Sequence, residues 1–186
     1  MDAELEGPLE FLRTAERLKT THRSAWTSSG ERESVAEHTW RLCLMVVVLG
    51  ECFDGVDLDR LLRMCVIHDL GEALGGDIPA TLQDPTVPKS DAERRDLVRL
   101  LEPLPQAKRL ELLALWDEYE AAESPEAKVA KALDKLETIL QHNQGANPPD
   151  FDYAFNLTYG ARHTRGHPLI ERIRAHLDAE TAEKAG

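Results

Sequence analysis

One short segment concentrates residues that could do chemistry. His68 and Asp69 are consecutive, and Glu72 follows four residues after His68, so a helix would place His68 and Glu72 on nearly the same face. The pair Gly75-Gly76 would end such a helix and let Asp77 fold back over its end. Burying an imidazole beside several carboxylates is costly unless a divalent cation compensates their charge. The segment therefore predicts a metal site, although His68 alone would favour a hydrogen-bonded core histidine.

A neighbouring His-Asp pair cannot complete the ligand shell of a metal, so other elements must supply ligands. His38 is the best second source, because it lies in the first turn of a predicted helix. Asp134 is the best third source, since it stands on an apolar helix where a lone Asp is unfavourable. Taken alone, Asp134 would more simply be the partner of Lys131 or Lys135. Two imidazoles and two carboxylates suit Mn, Fe, Co, Ni or Zn better than Ca.

Helices must position these residues, because helical periodicity and capping signals dominate the chain. Ser34 to Glu37 form a capping box that opens a helix to about Phe53, and Asp57 can cap a helix that runs to Leu74. The stretch 20–33 is rich in Ser, Thr and Gly and predicts a loop, and we find no alternating strand of useful length. The predicted fold class is all-α. Further helices are expected after Pro8, over 90–101 behind a capping box at Ser90, over 110–122, from Ser124-Pro125 past Leu140, over 152–159 and over 167–184.

Composition limits the kinds of partner. Asp and Glu number 34 against 22 Lys and Arg, for a net charge of −12 in 186 residues. This balance argues against a nucleic-acid polymer and against an anionic membrane surface. The longest apolar stretch, 42–49, is far shorter than the ~20 residues that span a bilayer, and the acidic N-terminus does not resemble a signal peptide. We expect a cytoplasmic protein with reduced cysteines and one domain over 1–186, with a core over about 9–145 and a helical tail over about 150–184.

The order His38, then His68-Asp69, then Asp134 resembles the H…HD…D pattern of the HD-domain phosphohydrolase superfamily. The resemblance covers about 9–176, and a bare HD pair would be a weak signal. Longer blocks are similar to the 5′-deoxynucleotidase branch of that superfamily: Glu33 to His38, His68 to Glu72, Gly76 to Pro79, Trp116 to Glu120 and Ala127 to Asp134.

The resemblance implies an HD-type helical bundle with a buried metal site. It implies that one divalent transition metal (Mn, Co, Fe, Ni or Zn) is held by His38, His68, Asp69 and Asp134. Glu72 and Asp77 would be acid/base or water-positioning residues. In some relatives Glu72, Asp77 and the carbonyl of Ile78 are assigned to a second ion, such as Mg. The implied activity is hydrolysis of deoxyribonucleoside 5′-monophosphates to deoxyribonucleoside and phosphate by a homodimer.

The resemblance also suggests residues that contact the substrate. Arg23 would grip the phosphate, because an Arg fork suits phosphate oxygens, and Trp26 would lie beside the sugar. Two residues separate Arg23 from Trp26, as in related eukaryotic-type sequences, whereas the bacterial pattern has them adjacent. Glu118 would match a family carboxylate that faces the pocket, or would simply belong to a solvated helix face.

Two other functions remain open. A nucleoside triphosphate or cyclic phosphodiester substrate would call for several cations near the mouth of the site, and the loop over 77–89 offers only Lys89. A non-catalytic scaffold that binds nucleotide would be expected to lose a ligand or Glu72, and every expected position is filled.

The remaining histidines and tryptophans carry no metal role in this interpretation. No His lies between His68 and His142, where di-iron HD proteins need further ligands, so we expect a mononuclear site. We place His142 on a helix surface and expect Trp40 and Trp116 in the core or at a dimer contact. The other histidines are assigned to a loop or the tail: His22, His163, His167 and His176.

Overall fold

The computed structural model describes residues 3–79 and 89–186, and helices account for most of them. The all-α class is therefore confirmed. Residues 80–88 of the predicted loop over 77–89 lie outside the described residues, and the next helix begins at Lys89, one residue before the predicted cap Ser90. The eight helices of the described part are α1 Ala3–Ala15, α2 Val35–Leu49, α3 Leu58–Ile67, α4 Glu72–Gly75, α5 Lys89–Leu101, α6 Gln106–Ala121, α7 Pro125–Gln144 and α8 Pro168–Ala185.

Helix α7 lies at the centre of the molecule. It packs against α2, α3, α6 and α8. Its apolar side chains Leu133, Leu136 and Ile139 are fully buried, as are Leu42 on α2 and Leu61 on α3. Burying each such side chain is worth about 1.5–3 kcal/mol. The surrounding helices thereby fix α7 in place, and with it the polar residues of its remaining face.

The predicted caps begin the helices that carry the site. Ser34 Oγ accepts a hydrogen bond from the amide of Glu37 at 3.2 Å, and the Glu37 carboxylate accepts one from the amide of Ser34 at 2.7 Å. This capping box is confirmed and sets His38 in the first turn of α2. Asp57 caps α3, and Ser124 caps α7 ahead of Pro125, also as predicted.

The helix predicted to continue to Leu74 ends instead at Ile67. The indole nitrogen of Trp116 donates a hydrogen bond to the carbonyl of His68 at 2.9 Å. A continuing α-helix would offer that carbonyl to the amide of Glu72. The chain therefore proceeds through tighter turns, and the His-Asp pair stands on a turn between α3 and α4. Trp116 is a core residue, as expected.

A small antiparallel sheet replaces the loop predicted over 20–33. Strand β1, His22–Trp26, pairs with strand β2, Arg32–Ser34. Gly30 has a φ of +88° at the turn between them. The guanidinium of Arg32 donates a hydrogen bond to the carbonyl of Arg23 at 2.7 Å and braces the pair. Strands this short leave no clear alternation of polar and apolar residues, which is why the sequence did not indicate them.

The buried guanidinium of Arg174 anchors the C-terminal tail. The helix predicted over 152–159 is a single 3-10 turn, Ala154–Leu157. The guanidinium of Arg174 on α8 donates hydrogen bonds to three main-chain carbonyls of this segment, those of Asn156 at 2.9 Å, Leu157 at 2.8 Å and Tyr159 at 2.6 Å. The segment has little regular structure of its own, so Arg174 substitutes for the missing backbone hydrogen bonds.

We predict that Arg174→Met lowers the free energy of unfolding by about 3–5 kcal/mol, because it leaves several buried carbonyls without a donor. Arg172→Met is the matched control, since Arg172 is exposed on the same helix. Urea denaturation of both variants measures the difference. Equal stability of the two variants would contradict this role for Arg174.

Candidate active site

Side chains from three parts of the fold meet around Nε2 of His38. The Nε2 atom of His38 lies 3.3 Å from Nε2 of His68, 3.8 Å from Oδ2 of Asp69 and 3.4 Å from Oδ1 of Asp134. Nε2 of His68 lies 2.9 Å from Oδ2 of Asp69. Neighbouring ligands around a divalent metal with bonds of ~2.1 Å stand about 3.0–3.4 Å apart. The ligand atoms of His38, His68 and Asp69 lie close enough together to share a cation, and Oδ1 of Asp134 approaches the same nitrogen of His38.

Hydrogen bonds from the far nitrogens hold both imidazoles in the orientation that a metal needs. Nδ1 of His68 lies 2.8 Å from the carbonyl of Cys65, so it carries the proton. Nδ1 of His38 is hydrogen-bonded to Oε2 of Glu137. Each ring therefore points its Nε2 atom into the site, which is the usual arrangement of metal-binding histidines.

Glu137 is a functional residue that the sequence reasoning missed. Its side chain is 0% exposed, and its second oxygen accepts a hydrogen bond from Nε of Arg41 at 2.6 Å. The available signal was position, because Glu137 stands one helical turn after Asp134 on an otherwise apolar helix. A carboxylate there can only be buried with a partner, and its partners are the predicted ligand His38 and a guanidinium.

Glu33, His38 and Glu137 form a second group whose ligand atoms lie close together. Arginines already neutralise this group. Nε of Arg23 lies 3.1 Å from the carboxylate of Glu33, and Arg41 bonds to Glu137. The group therefore needs no metal to compensate its charge.

The charges around His38 favour its protonated form. Burial and the positive charge of Arg23 lower the pKa of this imidazole, but the carboxylates of Glu137 and Asp134 outweigh them and raise it to about 10. Burial raises the pKa of Asp69, but the two histidines more than reverse this and hold that pKa well below its usual value. A divalent cation must therefore displace a proton from His38, so its binding strengthens as pH rises.

Asp134 accepts hydrogen bonds on the oxygen that faces away from His38. Oδ2 accepts from the Tyr119 hydroxyl at 2.9 Å and lies 2.9 Å from Nζ of Lys135. Asp134 therefore forms the ion pair that the sequence suggested, with Lys135, while its other oxygen faces His38. Lys131 instead pairs with Glu120.

His68, Asp69 and Asp134 line a cavity of about 760 Å³. Glu72, Asp77 and Ile78 all line it, so the predicted acid/base residues and the suggested second-metal residues reach the same space. Gly76 has a φ of +78°, a conformation that glycine adopts without strain, and it turns the chain so that Asp77 returns toward the cavity. Glu72 is buried, at 2% exposure.

Arg23 and Trp26 line the cavity as predicted, whereas Glu118 does not. Glu118 is hydrogen-bonded to Arg60 and accepts from the hydroxyl of Ser124 at 2.7 Å. The helical repeat of α6 turns its neighbours Tyr119 and Glu120 to the cavity instead.

Arg23 is held rigidly where it enters the cavity. Its Nη2 donates to the hydroxyl of Thr138 at 2.9 Å, and its Nη1 lies 3.7 Å from Oδ2 of Asp69. Burial and the charge of Glu137 raise the pKa of Glu33 to about 6, although Arg23 acts in the opposite direction. Because Thr138 and Glu33 hold the guanidinium of Arg23 beside Asp69, an anion bound next to Asp69 would lie within its reach.

The tail supplies part of the cavity wall, which the sequence did not indicate. Phe151, Phe155, Tyr159 and His163 line the cavity, and so does His142 of α7. The prediction that His142 lies on a helix surface is wrong, because the tail covers it and leaves it 7% exposed. The missed signal was helical spacing, since the lining residues of α7 recur every three or four positions: Lys131, Asp134, Lys135, Thr138 and His142.

Comparison with known proteins identifies the family. The sequence model of the HD domain family matches residues 15–174 of this chain. This chain belongs to the HD domain family. The 5′-deoxynucleotidase HDDC2 of Homo sapiens is 34% identical over 182 residues, which cover 92% of this chain and 85% of the human protein. The 5′-deoxynucleotidase HDDC2 of Mus musculus is 36% identical, covering 94% of this chain and 88% of the mouse protein.

Solved structures are similar to this chain over most of its length. A predicted metal-dependent phosphohydrolase from Magnetospirillum magnetotacticum superposes with a TM-score of 0.78 at 31% identity, covering 98% of this chain and 95% of that one. A conserved hypothetical protein from Pyrococcus furiosus superposes with a TM-score of 0.65 at 28% identity, covering 89% of this chain and 99% of that one.

We predict that Glu137→Gln weakens the binding of Mn²⁺ by about 10–100-fold, because a neutral amide holds and polarises His38 less well than a carboxylate. Glu111→Gln is the control, since Glu111 lies on the exposed face of α6. Titration of the chelator-treated proteins by calorimetry measures the affinity. Unchanged Mn²⁺ binding in Glu137→Gln would show that His38 needs no such support.

Proposed function

We propose that this HD domain protein is a metal-dependent phosphomonoesterase that hydrolyses deoxyribonucleoside 5′-monophosphates. The observation that carries the proposal is the cluster of His38, His68 and Asp69, with Asp134 beside His38, at one side of a cavity that also holds Arg23, Glu72 and Asp77. The relatives named 5′-deoxynucleotidase cover most of the chain and support this choice of substrate.

The ligands of the proposed metal are His38, His68, Asp69 and Asp134. Their mixture of imidazoles and carboxylates suits Mn, Fe, Co, Ni or Zn. When bound, such an ion would polarise a phosphate oxygen and so favour attack at phosphorus. Glu72, Asp77 and the carbonyl of Ile78 are proposed to hold a second ion, such as Mg, in a form of the enzyme that uses one.

The side chains of the cavity perform the remaining steps. Arg23 presents a fork of donors to the phosphate and orients it. Glu72 and Asp77 supply the two proton transfers, one from the attacking water and one to the leaving 5′-oxygen. No Ser or Cys of this chain stands in a nucleophile motif, so water attacks phosphorus directly.

A nucleoside triphosphate is the second candidate substrate, because Lys131, Lys135 and Arg162 line the cavity and the sequence had offered only Lys89 near the site. Two of these cations already have carboxylate partners, since Lys131 pairs with Glu120 and Lys135 with Asp134. Their charge is therefore largely compensated without further phosphates, which favours the monophosphate.

A panel of substrates tests the proposal. Chelator-treated protein is supplied in turn with Mn, Co, Ni, Zn or Mg and assayed for phosphate release from deoxy- and ribonucleoside 5′-monophosphates and from triphosphates. We expect release to require added metal and to favour the deoxynucleoside monophosphates. Metal-loaded, folded protein that is silent on every monophosphate would contradict the proposal.

We predict that Asp69→Ala abolishes both metal binding and phosphate release, because it removes one ligand of the four. Metal content after dialysis and turnover on the preferred substrate are the two measurements. Turnover that survives in Asp69→Ala without bound metal would contradict the mechanism.

We predict that Glu72→Gln keeps the metal and loses most turnover, about 10²–10⁴-fold, because the amide cannot take up or give a proton. The same two measurements separate this effect from ligand loss. Undiminished turnover would remove the proton-transfer role from Glu72 alone.

The resemblance also predicts a homodimer, and the sequence pattern predicts a cytoplasmic location; both stay predictions. No helix of the described residues is long and apolar enough to cross a membrane.

A further inference from the structure

The cavity differs in character along α7. Lys131 and Lys135, the cations of α7 that line the cavity, lie within three positions of Asp134. Toward the end of α7 lies His142, eight positions after Asp134 and therefore about 12 Å along the helix axis. Here the cavity is aromatic, because the ring of Phe151 lies 4.9 Å from that of His142 and 6.1 Å from that of Trp26. A flat, weakly polar group would fit this end better than a further phosphate.

His142 presents one defined hydrogen-bonding atom to this aromatic end. Its Nδ1 lies 2.8 Å from the side-chain oxygen of Asn156. An amide oxygen can only accept a hydrogen bond, so Nδ1 carries the proton and Nε2 keeps its lone pair. Burial lowers the pKa of His142, which keeps the imidazole neutral. Among the described residues, Nε2 has no hydrogen-bond partner, and His142 lines the cavity.

The partner that fixes this tautomer is itself firmly held. Asn156 is fully buried, and its main-chain carbonyl accepts a hydrogen bond from Arg174 at 2.9 Å. Arg174 thus couples the tail to the orientation of His142. The acceptor atom is therefore set before any ligand enters, which reduces the cost of ordering it on binding.

We propose that His142, oriented by Asn156, recognises the nucleobase of the substrate by accepting a hydrogen bond from an N–H group of the base. The inference rests on the proposed function, since the phosphate must lie at the proposed metal ligands for the nucleoside to reach His142. Trp26 and Phe151 provide aromatic surfaces against which a base can pack. The site would select for the presence of a base and for an N–H on its edge.

Removal of the acceptor tests the proposal on two substrates. His142→Phe keeps an aromatic ring beside Phe151 and loses Nε2, and His176→Phe is the control because the His176 side chain is 76% exposed. The readout is the ratio of kcat/KM for a deoxynucleoside 5′-monophosphate to that for 2-deoxyribose 5-phosphate, which has no base. We expect His142→Phe to lower this ratio by about tenfold. An unchanged ratio would overturn the proposal.

Binding without chemistry separates this inference from the proposed function. Thymidine carries an N–H on its ring and N3-methylthymidine does not, and neither contains phosphate. We expect the wild-type protein to bind thymidine about tenfold more tightly than the methylated form, with inorganic phosphate held equally by wild type and His142→Phe. Equal binding of the two nucleosides, or no binding of either, would overturn the inference even where monophosphates are hydrolysed.

The nucleoside comparison uses only wild-type protein, so it holds if His142→Phe fails to fold. If wild type discriminates between the nucleosides but releases no phosphate from any monophosphate, the base-recognition site stands and the nucleotidase proposal fails. His142→Gln, which can place an amide oxygen near the position of Nε2, is expected to recover part of the lost ratio. Behaviour identical to that of His142→Phe would count against a hydrogen bond from the base.

Discussion

Negative charge buried around a single point is the constraint on which the structure depends. Asp69 and Asp134 approach the same imidazole from different elements, and Glu137 stands behind it. Like charges brought together away from water are costly unless they are compensated. Protein cations compensate the outer carboxylates, since Arg41 bonds to Glu137 and Arg23 to Glu33. The oxygens of Asp69 and Asp134 that face His38 are the ones a divalent cation would bind, while the other oxygen of Asp134 pairs with Lys135.

One helix organises both the core and the site. The apolar faces of α7 are enclosed by four other helices, and its remaining face lines the cavity from Lys131 to His142. Side chains on a packed helix hold their positions better than side chains on a loop. The tail adds the opposite wall, and Arg174 secures it through main-chain carbonyls. The proposed ligand Asp134, the Thr138 hydroxyl that holds Arg23, and His142 at the aromatic end of the cavity all lie on α7.

Local signals in the sequence predicted what depends on local structure. The capping residues Ser34, Asp57 and Ser124 begin their helices as expected. The proposed ligand set came from the resemblance and from the unusual placement of charged residues in apolar helices; in the structure His38, His68 and Asp69 cluster, and Asp134 lies beside His38. Glu72 and Asp77 also reach the cavity.

The features that escaped prediction depend on contacts between distant segments. The end of α3 at Ile67 depends on the indole of Trp116, which is remote in sequence. The burial of His142 depends on the tail folding over it. Glu118 illustrates the limit of resemblance, because a carboxylate matched by motif turns away to Arg60. A one-dimensional pattern contains none of these relationships, although the spacing along α7 does mark which of its residues share a face.

The central expectation is that one divalent cation binds between His38, His68, Asp69 and Asp134. Crystals grown with Mn²⁺ and measured at its absorption edge would locate the ion directly by anomalous scattering. We expect one strong peak bonded to Nε2 of both histidines, with the oxygens of Asp69 and Asp134 at about 2.0–2.2 Å. A peak between Glu33 and Glu137, or no peak from fully folded protein in excess Mn²⁺, would contradict the account.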